Sequence, residues 1–171
     1  MKIFLLGYMG SGKSTVGRLL AEQLSFEFLD LDQAIELQEN IPVSTIFQKK
    51  GELYFRKQER KLLEWIIAKD KAVISLGGGT PCYGDNLDLI KDAKDSKTVY
   101  LKMSVQQLTD RLEKEKEQRP LISHLDKKEE LEEFIRKHLF ERGFYYSQSE
   151  LIINCDNKKP QEIVDEIVAG L

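Results

Sequence analysis

Eight residues carry the first recognisable chemistry: Gly7-Tyr8-Met9-Gly10-Ser11-Gly12-Lys13-Ser14. They match the pattern G-x-x-x-x-G-K-[ST], which binds phosphate. Glycines adopt backbone angles that side chains forbid, so several amide N–H groups can point inward together. A helix beginning at Lys13 would add the partial positive charge of its N-terminus at the same spot. Lys13 can reach the β- and γ-phosphates of a nucleotide, and the Ser14 hydroxyl can ligate Mg²⁺.

Such a loop holds a nucleotide without naming the reaction. A guanine-reading switch would carry an N-K-x-D segment, but in Asn157-Lys158-Lys159-Pro160 proline stands where the aspartate should be. Many ATPase motors end a later apolar run in aspartate. Here the run AVISLGGG has Ser75 at that place. With a chain of 171 residues, these observations favour a small-molecule kinase.

Four further groups could supply an acceptor site. Asp30 and Asp32 follow a short apolar run, so one carboxylate could hold Mg²⁺ through water and the other could accept a hydroxyl proton. Capping of the next helix is the alternative role. Arg56 is predicted on a helix, where an arginine is commonly a surface charge. Gly77, Gly78 and Gly79 form either a flexible turn or a flat donor surface against a ligand. Arg119 and Arg142, with Arg56, could clamp a carboxylate and neutralise a transferring phosphate.

These residues need a frame. Short apolar runs at 2–6, 27–29, 72–76, 98–102 and 151–154 read as strands buried on both faces. Helical patterns fall at 13–24, 31–39, 43–50, 51–69, 86–93, 105–114, 127–146 and 160–169, the last with Pro160 in its first turn. The alternation predicts a three-layer α/β fold with a parallel sheet. The charged stretch from Arg111 to Phe134 is either a solvated helix pair broken at Pro120 or a mobile lid.

Composition sets outer limits. Apolar residues are 41% and charged residues 32% of one domain-sized chain, and 26 cationic against 29 acidic residues leave a net charge of −3. That disfavours a broad nucleic-acid surface. No run of about 18 apolar residues offers a membrane span. The apolar run after Lys2 ends in glycines rather than a cleavage site, so a cytoplasmic protein is expected. Cys82 and Cys155 fit no metal spacing and read as free thiols, and His124 and His138 form no zinc pattern.

Taken in order, GYMGSGKST, FLDLDQAIE, ELYFRKQE, SLGGGTP, QRPLI and ERGFYYS resemble the shikimate kinase family over nearly the whole chain. The resemblance implies a single kinase domain over 1–171. Its five parallel strands would lie in the order 2-3-1-4-5, with substrate-binding helices at about 31–62 and a lid at about 113–126. It implies transfer of phosphate from ATP, with Mg²⁺, to the shikimate 3-hydroxyl, on the route to chorismate and the aromatic amino acids. Gly10, Ser11, Gly12, Lys13, Ser14 and Thr15 would hold ATP. Arg111, Arg119 and Lys159 would complete that half, Lys159 from an adenine-side loop at 156–160. Asp32 would contact the substrate hydroxyls and accept the proton, and Asp30 would stand near the metal through water. Arg56 and Arg142 would grip the carboxylate, with Gly78 and Gly79 offering backbone contacts. Lys13, Asp32 and Arg119 would be the catalytic set. The family is often monomeric. Gluconate kinase has a similar loop and size, but gives no reason for the Asp30–Asp32 pair followed by Phe55-Arg56 and three glycines. A regulatory nucleotide-binding module would not need Asp32.

Overall fold

The central strand β1 (Lys2–Leu6) is buried along its whole length. Side chains alternate across a strand, so Ile3 and Leu5 enter one apolar cluster while Phe4 and Leu6 enter the other. The computed structural model describes residues 1–171, apart from the side chain of Gln118. Around β1 lie β2 (Glu27–Asp30), β3 (Ala72–Ser75), β4 (Ser96–Lys102) and β5 (Leu151–Asn154). All neighbours are parallel, in the order β2-β3-β1-β4-β5.

Helices cover both faces. α1 (Lys13–Leu24), α6 (Val105–Lys114), α7 (Lys128–Tyr146) and α8 (Pro160–Gly170) pack on the Ile3–Leu5 side. α2 (Leu31–Glu39), α3 (Val43–Lys50), α4 (Glu52–Ile67) and α5 (Asn86–Lys91) pack on the Phe4–Leu6 side. Truncating a fully buried leucine such as Leu5 to alanine costs about 2–5 kcal/mol. The chain leaves β1 toward β2 and later crosses β1 to build β4. This reversal opens a crevice at the carboxyl end of β1, where such sheets bind ligands.

Most differences from the expected boundaries are one or two residues. Two have consequences. β2 takes in Asp30, which pairs in register with Ser75 and then caps α2 by accepting from Gln33 N–H at 3.2 Å. α4 begins at Glu52 because Gly51, at φ 83°, turns the chain between α3 and α4. Two 3-10 turns, Thr80–Cys82 and Lys116–Gln118, were not foreseen. Between the second of these and α7 the charged segment runs as turns around the fully buried Ile122, rather than as a second helix.

Candidate active site

The phosphate loop runs from the end of β1 into α1. Gly12, at φ 91°, precedes the helix and supplies no side-chain cap, which leaves first-turn N–H groups for a ligand. Lys13 is buried, and its Nζ donates to the carbonyls of Gly7 at 2.8 Å and Tyr8 at 3.0 Å. Burial lowers its pKa to about 8, while the Asp32 and Asp30 carboxylates hold it up. Ser14 Oγ donates to Asp30 Oδ2 at 2.6 Å. Asp30 therefore takes the capping role with one oxygen, while the other accepts from the loop serine.

These residues line one cavity of about 470 Å³. Gly10, Gly12, Lys13, Ser14 and Thr15 form one wall, and Asp30, Asp32, Ser75, Gly77 and Gly78 another. Arg111, Glu115 and Arg119 close the remaining side. Arg111 reaches back to the loop, Nη1 donating to Gly10 O at 3.2 Å. Arg119 donates through Nε at 2.8 Å and Nη2 at 2.6 Å to the same Glu115 oxygen.

The three glycines after β3 pass three charged side chains in succession. A Cβ built on Gly77 would lie 2.8 Å from Asp32 Oδ1, one on Gly78 3.1 Å from Arg142 Nη1, and one on Gly79 2.6 Å from Arg56 Nη2. Their lack of side chains lets an acid and two guanidinium groups crowd against one short loop. Asp32 is pushed up to about 6, chiefly by burial and then by the neighbouring Asp30 and Glu59 carboxylates, with Lys13 opposing. That places it near neutrality, where a general base is most effective.

Two predicted nucleotide-side residues have side chains away from the cavity. Ser11 is 1% exposed, and its hydroxyl is enclosed in the protein rather than facing the cavity. Lys159 does not line the cavity. It is exposed and caps α8, its N–H donating to Glu162 at 2.6 Å. Its loop meets α6 instead through Asn157 and Gln107, whose Nε2 donates to Asn157 Oδ1 at 2.6 Å. Cys82 and Cys155 are both free thiols, and burial pushes Cys82 up to about 11.

Three further contributors were not among the predicted site residues. Glu59, 1% exposed, accepts from Arg56 Nη1 at 2.9 Å and from Thr80 Oγ1 at 2.7 Å, and so orients the Arg56 fork. Only its position three residues after Arg56 hinted at this pairing. Tyr146 donates to Gly78 O at 2.6 Å and fixes the glycine loop. Glu115 holds Arg119. Glu115 stands four residues before Arg119, a comparable local hint, whereas the partner of Tyr146 lies on another segment, 68 residues away.

The family model described as shikimate kinase matches residues 9–171. A shikimate kinase of Flavobacterium psychrophilum is 48% identical over 168 residues, covering 97% of this chain and 96% of its own. The crystal structure of shikimate kinase from Bacteroides thetaiotaomicron superposes with a TM-score of 0.88 at 33% identity, covering 100% of this chain and 99% of that one. Shikimate kinase from Acinetobacter baumannii, solved in complex with shikimate, gives 0.88 at 31% identity, covering 98% and 90%. With a phosphate loop, an acid and two arginines already gathered around one crevice, these matches settle the assignment: the chain belongs to the shikimate kinase family.

Proposed function

We propose that this chain transfers the γ-phosphate of ATP to the 3-hydroxyl of shikimate, yielding shikimate 3-phosphate and ADP on the route to chorismate and the aromatic amino acids. The observation that carries the reading is the succession of Asp32, Arg142 and Arg56 along Gly77, Gly78 and Gly79, beside the Lys13 cavity. Shikimate bears one carboxylate and three hydroxyls. Two arginines and one acid answer both ends of it.

In this reading Arg142 and Arg56 grip the carboxylate, and backbone groups of Gly78 and Gly79 contact the ring substituents. Asp32 accepts the proton of the attacking hydroxyl. Lys13 neutralises charge on the β- and γ-phosphates, and loop N–H groups of Gly10, Ser11, Gly12, Ser14 and Thr15 cradle them. Arg119 exchanges Glu115 for phosphate as the segment at about 113–126 closes and excludes water. Arg111 lies on the nucleotide side, and Lys159 serves only if its loop turns inward.

The Ser14–Asp30 pair fits Mg²⁺, because a hydroxyl and a carboxylate oxygen already lie at 2.6 Å from each other. Mg²⁺ sites commonly use one or two such groups plus substrate phosphates. Ser14 would hold the ion directly and Asp30 through water, and the ion would supply positive charge against the transferring phosphate. A monomer acting in the cytoplasm completes the proposal. Among the described residues no helix is long and apolar enough to cross a membrane.

The test is ADP formation by the pure protein with ATP and Mg²⁺. Shikimate should stimulate it and gluconate should not. Activity with gluconate alone, or ADP formation indifferent to both, would overturn the reading.

A further inference from the structure

Tyr8 stands inside the phosphate loop, between Gly7 and Met9, at a position the loop pattern leaves free. It is 2% exposed. Three separate contacts radiate from it. Its carbonyl accepts from Lys13 Nζ at 3.0 Å. Its ring lies under the Arg142 guanidinium, whose central carbon is 5.8 Å from the ring centroid. Its hydroxyl lies 2.7 Å from His138 Nδ1.

Arg142 and His138 are one turn apart on α7, so both face the same way. His138 is itself packed edge-on against Phe134, centroids 4.4 Å apart. Burial raises the Tyr8 pKa and lowers that of His138. Both groups are thus neutral near pH 7, and with the imidazole proton on Nε2 the Tyr8 hydroxyl donates to Nδ1. The phosphate loop and α7 are otherwise remote in sequence, 130 residues separating the bonded pair.

We infer that Tyr8 is a positioning residue that couples the donor and acceptor halves of the site, its backbone attached to the phosphate lysine and its side chain to the helix that carries Arg142. ATP draws the Lys13 ammonium toward its phosphates and away from the Tyr8 carbonyl. The ring and hydroxyl pass that displacement to α7, and Arg142 is presented to the acceptor carboxylate in response. Shikimate, gripping Arg142, acts on the loop by the same route, since coupling between two binding sites is reciprocal. The inference rests on the acceptor role proposed above for Arg142.

The experiment is calorimetric titration of the full-length chain with a non-hydrolysable ATP analogue and Mg²⁺, with and without saturating shikimate, and the reverse. The wild type should show each ligand tightening the other by one common factor, in the range of about 5- to 150-fold. Tyr8→Phe keeps the ring under Arg142 and removes only the hydroxyl. It should bring the factor to within about twofold of one, and raise KM for shikimate about fivefold with a smaller change in kcat, the loss expected of one buried hydrogen bond. His138→Leu should reproduce it, the double variant should be no worse than either single, and His138→Gln, which restores an acceptor, should recover part of the factor. A residue that was merely structural would lower the melting temperature and leave the factor unchanged. A wild type without mutual tightening, a Tyr8→Phe variant that retains it, or losses that add in the double variant would each overturn the inference. A wild type that forms no ADP with shikimate would instead overturn the functional reading beneath it.

Discussion

Ser14 Oγ and Asp30 Oδ2 are 2.6 Å apart, joining the first turn of α1 to the last residue of β2. The contact draws the carboxylate into the cavity that also holds Lys13. Asp30 Oδ1 is engaged by Gln33 N–H, so the side chain is fixed at both ends. The hydroxyl and carboxylate that would serve the metal are thus arrayed by folding alone.

Lys13→Ala should lower kcat about 10²- to 10³-fold through lost charge stabilisation in the transition state. Steady-state kinetics with saturating shikimate measures it. A change confined to KM for ATP would mean that Lys13 only binds nucleotide.

Asp32→Asn should lower turnover about 10²- to 10⁴-fold, the span of a lost general base, with binding of a non-hydrolysable ATP analogue nearly intact. The same variant should be more stable than the wild type above pH 6. The folded protein raises the Asp32 pKa from 3.8 to about 6, so it binds that proton more tightly than the unfolded chain does. Stability from this group is fully present below pH 3.8 and is lost as pH rises through about 6. Thermal melts at pH 4 and pH 8 should show the advantage of the variant only at the higher pH.

The pH profile of kcat/KM should be bell-shaped. Asp32 must lose its proton and gives an acid limb near 6. Lys13 must keep its proton and gives an alkaline limb near 8. Asp32→Asn should remove the acid limb from whatever activity survives.

Arg142→Ala should raise KM for shikimate about 10- to 100-fold, the value of charge-assisted hydrogen bonds to a carboxylate, and barely alter binding of a non-hydrolysable ATP analogue measured without shikimate. An equal loss of analogue binding in the absence of shikimate would show that the arginine supports the fold rather than the acceptor.

Gly79→Ala should likewise weaken shikimate and spare ATP. The added methyl would press on Arg56 Nη2 at 2.6 Å, while φ at −89° tolerates any residue. Urea unfolding should show little change, which separates displacement of the fork from backbone strain.

The sequence was informative where chemistry is local. The phosphate loop, the five strands and most helix limits follow from spacing and apolar runs, and the strand order came with the family resemblance rather than from the pattern. Asp30 was legible as a carboxylate at a strand end, but its double engagement required knowing that β2 lies beside β3 and faces α1. Glu59 looked like an ordinary helical acid until Thr80, 21 residues on, was seen against it. Tyr8 and His138 were two unremarkable residues 130 apart. Lys159 came only with the family resemblance, as an adenine-side contact, and its place as the cap of α8 beside Pro160 and Glu162 was not read from the pattern. Pairings across the fold have no period and leave no trace along the chain.

The Lys13 ammonium, held between the carbonyls of Gly7 and Tyr8, also bears on the entropy of nucleotide capture. A free lysine side chain carries about 2 kcal/mol of rotamer entropy. Here that freedom is surrendered when the loop folds, long before a phosphate arrives. The ammonium is already anchored and only its partners must change, so capture proceeds as an exchange of ligands around a held cation.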